Sequence, residues 1–221
     1  VGSHSATEFV SWYNTHPDHT HKSFDLDHTQ VALIGMGHVA LDVTRMLVKS
    51  PDELDTTDIA PYAIKALRAS NVTDIHIFAR RGPSQAKFTP KELREVAELP
   101  GVALLVYPDD LARDRTLRDD NPDRTRNVAM FTEFAQREGP TPKATKRVHL
   151  HFFATPTEIL TDAQGRVRGL RTERTDLVER DGRLSAQRTG VTEETPCGLV
   201  LRSIGYRTAP IPDVPFDAKR G

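Results

Sequence analysis

Two glycines and an alanine stand close together near the start of the chain, in Gly35-Met36-Gly37-His38-Val39-Ala40. Gly35 allows a tight turn, Gly37 lets the backbone approach a diphosphate closely, and Ala40 lets the following helix pack near the preceding strand. The free N–H groups and the dipole at such a helix start attract phosphate. The spacing therefore predicts a dinucleotide site, and an ordinary strand-to-helix turn is the alternative.

Two arginines follow the next predicted strand, in Arg80-Arg81-Gly82. An NAD site usually has a carboxylate there, which accepts a hydrogen bond from the ribose 2′-hydroxyl, and none is present at this point. Guanidinium groups bind phosphate through paired hydrogen bonds and stack on adenine. The pair therefore predicts NADP(H) rather than NAD, with a solvated arginine pair as the alternative. The motif usually places this discriminating residue about 20 positions on, and an extra predicted helix at 59–69 accounts for the longer spacing here.

The elements that must position these residues alternate along the chain. Apolar runs predict strands, and a 3.6-residue periodicity with capping residues predicts helices. The predicted strands lie at 30–34, 74–79, 102–106, 148–159 and 198–205. The predicted helices follow Ser5 and lie at 39–48 (ended by Pro51), 59–69, 89–99 and within the charged stretch 109–139.

The fold class follows from this alternation. It is α/β: a Rossmann-like parallel sheet with flanking helices, in which an antiparallel β-meander takes the place of one helical crossover. The meander covers 167–195, with turns predicted at Gly165, Gly182 and Gly190. The polar stretch 16–28 predicts a loop, and residues 1–5 are assigned no element.

Composition narrows the class of protein. The chain has 221 residues, of which 37% are hydrophobic and 28% charged, with a formal net charge of −1, so no global basic field for nucleic acid exists. No run approaches the about 20 apolar residues of a membrane helix, and no signal peptide is visible. One cysteine, Cys197, excludes an internal disulfide and a cysteine-based metal cluster. We expect a protein of the cytoplasm with no membrane span.

Several other residues are candidates for chemistry. His16, His19 and His21 lie on a polar loop without fixed geometry, so no metal site is predicted. His149 and His151 share one strand face and are expected to pack or to face solvent. Trp12 and Tyr13 are expected in the core. The sequence shows no catalytic acid, base or nucleophile.

Five segments recur in a fixed order across nearly the whole chain. They are EFVSWYNTHP at 8–17, GMGHVALD at 35–42, RRGP at 80–83, FTPKELRE at 88–95 and CGLVLRSIGY at 197–206. Together they resemble the adrenodoxin reductase family of ferredoxin–NADP+ reductases, and they are far more specific than the glycine motif alone.

The resemblance implies roles for individual residues. The turn at 36–39 would hold the pyrophosphate, and Arg80 with Arg81 would bind the 2′-phosphate. Glu92 would face the cofactor, although a charged first-turn residue that stabilises a helix is the alternative. His38 stands where the family motif usually has asparagine. Because histidine can carry charge, we expect NADP+ binding to tighten below neutral pH.

The resemblance also implies partners. NADPH would pass hydride to FAD in the parent enzyme, and the flavin would release electrons singly to a ferredoxin-type iron–sulfur protein. Residues 1–221 are then expected to be a single NADP(H)-binding domain excised from a larger FAD-containing reductase. In this interpretation 1–28 form an N-terminal helix and linker, 210–221 return to an FAD domain in cis, and the excised domain alone is inactive.

A basic face would dock the acidic iron–sulfur partner. Arg124 and Arg126 match the family best among the clustered arginines, which also include Arg113, Arg115 and Arg118. Aspartates are interleaved with them, so a solvated helix of mixed charge is the alternative.

Two other functions stay open at this point. One is the NADP half of another two-dinucleotide flavoprotein, of the glutamate-synthase or thioredoxin-reductase type, against which the Trp12-Tyr13-Asn14 segment argues. The other is a non-catalytic module that only binds NADP(H).

Overall fold

The computed structural model describes residues 1–114, 121–137, 144–180, 183–205, 212 and 214–217. Six strands form a parallel sheet in the order β1-β9-β2-β3-β5-β4, and three form an antiparallel sheet in the order β6-β7-β8. The strands are β1 Ser3–Ser5, β2 Gln30–Ile34, β3 Asp74–Phe78, β4 Val102–Val106, β5 Lys146–His151, β6 Ala154–Thr161, β7 Val167–Arg180, β8 Arg183–Pro196 and β9 Leu199–Arg202.

The helices begin where local capping chemistry favours them. Ser5 and Thr89 each cap a helix whose third residue, Glu8 or Glu92, reaches back to the cap backbone. Proline, which lacks an N–H and suits a first helical turn, opens five of the described helices. The helices are α1 Ala6–Tyr13, α2 His38–Val48, α3 Pro51–Leu54, α4 Pro61–Arg68, α5 Pro90–Ala97, α6 Pro108–Arg113 and α7 Pro122–Gln136, with a short 3₁₀ turn at Pro83–Gln85.

The parallel sheet has a different covering on each face. Alternate strand residues such as Val31, Leu33, Ile75 and Ile77 are fully buried in the larger core, which also contains the inward faces of the helices. Residues of the opposite parity, such as Ala32, form a second core with side chains of β6 and β7. The predicted α/β class with an antiparallel meander in place of one crossover is therefore confirmed.

Three expectations about the elements are wrong. Residues 1–5 include an edge strand, because β1 pairs in parallel with β9. The stretch 148–159 is two strands in different sheets, separated at Phe153, whose φ of 52° turns the chain out of the first sheet. Gly190 lies inside β8 rather than at a turn, near a register irregularity between Glu173 and Thr175 of β7.

Other boundaries differ in smaller ways. Helix α2 ends at Val48, and Pro51 begins α3 instead of ending the preceding helix. The charged stretch 109–139 contains α6 and α7. Gly182, most of 210–221 and residues 115–120 lie outside the described residues. No helix in the described ranges is both long and apolar enough to cross a bilayer.

Candidate dinucleotide-binding site

The glycine turn lies directly after β2, at the carboxyl edge of the parallel sheet. Gly35 has φ of 109°, and its N–H donates to the Phe78 carbonyl at 2.9 Å. A Cβ at this position would lie 2.1 Å from the carbonyl oxygen of Ser203, which follows β9. Both the backbone conformation and the close approach of Ser203 therefore require glycine here.

Gly37 is glycine for a different reason. It caps α2 without a side-chain hydrogen bond, and a Cβ added to it would meet no described atom within 4 Å. The amides of His38 and Val39 belong to the first helical turn, where no carbonyl of the helix can accept from them, whereas the Ala40 amide donates to the Gly37 carbonyl at 3.0 Å. Ala40 behind them is fully buried, and Val39 is 36% exposed. The fold leaves open space next to Gly37.

The arginine turn after β3 is held in place by its backbone. Thr175 of β7 donates its hydroxyl to the Arg80 carbonyl at 2.8 Å, and the Phe153 amide donates to the Arg81 carbonyl at 3.1 Å. Gly82 lies against the Phe153 ring, since a Cβ there would come within 2.5 Å of Cζ. The antiparallel sheet thus fixes this turn, and nothing in the local sequence indicates that contact.

The guanidinium groups of the two arginines lack charged partners among the described residues. Within the part of the chain that the structure describes, neither guanidinium forms an ion pair, and the buried Nε of Arg81 has no hydrogen-bond partner. An unsatisfied buried donor costs about 1–3 kcal/mol. This cost is understandable if the arginines meet an anion that completes their hydrogen bonds.

The two turns lie side by side because their strands are neighbours. Strands β2 and β3 pair in parallel with Ile34 opposite Phe78, so both chains leave the sheet at the same edge. The buried Met36 belongs to the first turn, and its carbonyl accepts from the Lys87 amide at 3.4 Å. The predicted glycine and arginine residues therefore lie at the same edge of the sheet.

Glu92 forms contacts within the fold at the same edge of the sheet. Its carboxylate accepts from the Thr89 amide at 2.7 Å and contacts Nδ1 of His38 at 2.8 Å, which joins the first turns of α5 and α2. Burial alone would raise the pKa of this carboxyl, but the hydrogen bonds from Thr89 and His38 outweigh it and lower the pKa. The helix-stabilising alternative describes these contacts, and a cofactor contact stays a prediction.

The predicted docking arginines lie near the start of α7. Arg126 is exposed and faces Asp123 at 3.6 Å, and Arg113 pairs with Asp176 at 2.6 Å. Arg115 and Arg118 lie outside the described residues. The described arginines thus alternate with acidic partners, as the mixed-charge alternative expects. Arg113 also lines a cavity of about 670 Å³, whose other lining residues are Asp109, Ala112, Phe153, Arg174, Asp176 and Leu177.

A histidine cluster, which was not predicted from the sequence, lies on one face of β3 and β5. His76 stacks on His149 with ring centroids 4.3 Å apart, and Nδ1 of His76 lies 3.0 Å from Nε2 of His151. Burial lowers the pKa of His76 to about 4 and that of His151 to about 3. The alternation His149-Leu150-His151 indicated a shared face, but the pairing with His76 depends on strands that are distant in sequence.

Known proteins resemble this chain in sequence and in structure. The chain is 41% identical over 220 residues to the NADPH-ferredoxin reductase FprA of Mycobacterium leprae, which covers 98% of this chain and 47% of that protein. It is 40% identical over 230 residues to the mitochondrial NADPH:adrenodoxin oxidoreductase of Bos taurus, with 100% and 46% covered. The structure of Mycobacterium tuberculosis FprA in complex with NADPH superimposes with a TM-score of 0.88 at 38% identity, over 97% of this chain and 47% of that one.

The chain is homologous to one half of the adrenodoxin reductase-type ferredoxin reductases. It spans about half the length of the curated relatives that it matches. No protein-family model matches it. The resemblance seen in the five sequence segments is therefore confirmed, and the structure of Mycobacterium tuberculosis FprA shares the fold of the chain.

Proposed function

We propose that the chain is the NADP(H)-binding domain of a flavin-dependent ferredoxin–NADP+ reductase, and that it presents NADPH to an FAD-binding domain in cis. The flavin would supply the hydride and single-electron chemistry, and a ferredoxin-type iron–sulfur protein would receive the electrons. Residues 1–221 act as one domain in this proposal. The relatives named NADPH-ferredoxin reductase and NADPH:adrenodoxin oxidoreductase support it.

One observation carries the NADP(H) assignment. The arginine turn presents a buried Nε of Arg81 that no described atom satisfies, at the same edge as the open space beside Gly37. Two anionic groups, one at each turn, would supply acceptors for the donors of both turns. A nucleotide diphosphate at the α2 start, with a 2′-phosphate at Arg80 and Arg81, has two anionic groups of the required kind.

Different residues bind different parts of the cofactor in this proposal. The amides of Gly37, His38 and Val39 hold the diphosphate at the positive end of the α2 dipole. The guanidiniums of Arg80 and Arg81 bind the 2′-phosphate and discriminate against NAD(H). The fold keeps the arginine turn in place through the second sheet, so little conformational freedom is lost on binding. Arg124 and Arg126 are proposed to contribute to docking of the iron–sulfur partner.

The test is a calorimetric titration of the chain with NADP+ and with NAD+. Replacing both Arg80 and Arg81 by alanine removes charged hydrogen bonds of about 1.5–3 kcal/mol each, so we expect NADP+ affinity to fall about 100-fold or more. NAD+ affinity should change by less than about twofold, because NAD+ has no 2′-phosphate.

The matched control removes two arginines elsewhere. Arg68 and Arg137 are half-exposed and pair with surface carboxylates, Asp52 at 2.8 Å and Glu133 at 2.7 Å. The Arg68→Ala, Arg137→Ala variant has the same net charge as the test variant and should bind NADP+ like the original chain. An equal loss of NADP+ and NAD+ affinity in the Arg80→Ala, Arg81→Ala variant would contradict the assignment.

A further inference from the structure

Four polar side chains project from one face of two neighbouring strands. Asp74 and His76 are two residues apart on β3, and His149 and His151 are two residues apart on β5. The strands pair in parallel with His76 opposite His149, so all four side chains lie on the same face. Asp74 and His76 are 6% and 9% exposed, and the cluster is held by sheet backbone rather than by loops.

The donor atoms of this histidine cluster are close together. One nitrogen each from His76 and His149 and one carboxylate oxygen of Asp74 all lie within 4.8 Å of one another. Nε2 of His149 is already 2.8 Å from Oδ1 of Asp74. Two ligands of a tetrahedral Zn²⁺ ion at about 2.1 Å are about 3.4 Å apart, so adjustments of about an ångström and ring rotation bring the three atoms around one ion.

Surrounding groups hold the ligating side chains by their other atoms. The Tyr107 hydroxyl lies 2.9 Å from Nδ1 of His149, which leaves Nε2 of that ring directed at Asp74. Thr73 donates to the second oxygen of Asp74 at 2.8 Å. Metal-binding histidines and carboxylates are typically oriented by such contacts. His151 adds a further nitrogen beside His76, 3.0 Å from its Nδ1.

The chemistry of the donors selects the class of ion. Two imidazole nitrogens and one carboxylate oxygen suit Zn²⁺ and its first-row neighbours, whereas Mg²⁺ and Ca²⁺ prefer oxygen ligands alone. From this arrangement we infer that Asp74, His76 and His149 bind a divalent transition-metal ion of the Zn²⁺ type on the face of the sheet opposite the larger helical core.

Arg147 is the charged partner of the Asp74 carboxylate when no ion is bound. Its guanidinium donates twice to Asp74 at 2.6 Å, and its side chain is 46% exposed. A partly exposed arginine on a strand can turn toward solvent when a cation takes its place. The site therefore exchanges one positive partner of Asp74 for another, and it is independent of the glycine and arginine turns.

The experiment is a titration of the 221-residue chain, free of any histidine tag and stripped with a chelator, with Zn²⁺ in a calorimeter and with Co²⁺ in a spectrophotometer. We expect one ion per chain and the visible absorption of Co²⁺ bound by nitrogen ligands. His149→Gln should lower Zn²⁺ affinity at least tenfold and remove that absorption.

His28→Gln is the matched control. His28 also contacts an aspartate, with Nε2 3.1 Å from Asp25 Oδ2, but it has no place in a three-residue cluster among the described residues. This variant should bind Zn²⁺ like the original chain. Equal Zn²⁺ affinity in the His149→Gln, His28→Gln and original chains would overturn the inference.

A measurement on the unsubstituted chain covers the case in which His149→Gln does not fold. Imidazole ¹⁵N resonances of His76 and His149 should shift on addition of one equivalent of Zn²⁺, with those of His28 unchanged. If the resonances that move belong instead to the loop residues His16, His19 and His21, the ion is bound adventitiously there and the inference is wrong.

Discussion

Strand β3 has a closed polar network at its first residues and an open cationic turn just beyond its last. Asp74, at the start, is satisfied by Arg147, His149 and Thr73. Past the other end, the Arg81 Nε is buried with no partner among the described residues. The two regions are less than ten residues apart in the sequence, and they use their polar groups in opposite ways.

In the metal-free protein, the difference separates groups whose partners the fold supplies from groups that await a ligand. A buried polar group whose partners are all within the protein contributes to folding, whereas one without partners costs free energy. Proteins tolerate that cost mainly where function requires it. With a chelator present, substitutions at the Asp74 end should therefore change stability, and substitutions at the Arg81 end should change nucleotide affinity.

The largest expected effect is on the glycine turn, which lies at the same edge of the sheet as Arg81. Gly35→Ala places a Cβ 2.1 Å from the Ser203 carbonyl at a φ of 109°, so we expect the free energy of unfolding to fall by about 3 kcal/mol or more. Denaturant unfolding followed by circular dichroism measures this. An unchanged unfolding midpoint would show that Ser203 moves freely and that the glycine is not required by the fold.

Gly37→Ala is the matched substitution two residues on. Because its Cβ meets nothing within 4 Å, the free energy of unfolding should change by less than about 1 kcal/mol. NADP+ affinity should nevertheless fall about tenfold, since the Cβ enters the space assigned to the diphosphate. Unchanged NADP+ affinity in this variant would move the diphosphate away from the glycine turn.

The next effect belongs to the closed end of β3. Asp74→Asn removes the charge that Arg147 and His149 contact, and we expect a loss of about 2 kcal/mol, moderated because Arg147 is half-exposed. The measurement is urea unfolding at neutral pH in the presence of a chelator. A loss below about 0.5 kcal/mol would mean that the network contributes no more than an ordinary surface pair.

The difference in stability between the original chain and Asp74→Asn should depend on pH. Burial favours the protonated carboxyl of Asp74, but hydrogen bonds from Arg147, His149 and Thr73 outweigh burial and hold its pKa well below the usual range. A carboxyl with a lowered folded-state pKa stabilises the protein above its unfolded pKa of about 3.9, and this stabilisation is lost as the pH falls further. The difference between the original chain and Asp74→Asn should therefore shrink on acidification.

The two ends of β3 also differ in how far the sequence predicts them. The glycine and arginine turns depend on small residues and strand ends within short windows, so their positions follow from spacing and strand order. The contacts that hold the arginine turn do not follow from spacing. They come from Thr175 and Phe153, which lie in or next to an antiparallel sheet formed far along the chain. The sequence predicts that meander but not its contact with the turn.

The histidine cluster depends on non-local pairing throughout. His76 and His149 are brought together only because β3 lies beside β5 rather than beside β4, an order that periodicity does not determine. The same limit explains the misassigned stretch 148–159, where the break at Phe153 has no proline or glycine to mark it. Edge strand β1 was missed because three residues are too short for a periodic signal.

The smallest expected effect concerns Glu92, which stabilises a helix start and is also a predicted cofactor contact. Glu92 closes a capping box with Thr89, so Glu92→Ala should cost about 1 kcal/mol of stability, and Glu92→Gln should recover most of it, because an amide oxygen can still accept from the Thr89 amide. Both variants remove the carboxylate that contacts Nδ1 of His38. Thermal unfolding of the two variants measures this difference.

NADP+ affinity of the Glu92→Gln variant then isolates the second role. If the carboxylate also accepts from a cofactor hydroxyl, its charge strengthens that bond, and the variant should bind NADP+ several-fold more weakly despite its recovered stability. If NADP+ affinity returns together with stability, Glu92 belongs with Asp74 among the residues that serve the fold. At this edge of the sheet, Arg81 would then lack a partner in the fold, whereas Glu92 would have all its partners within it.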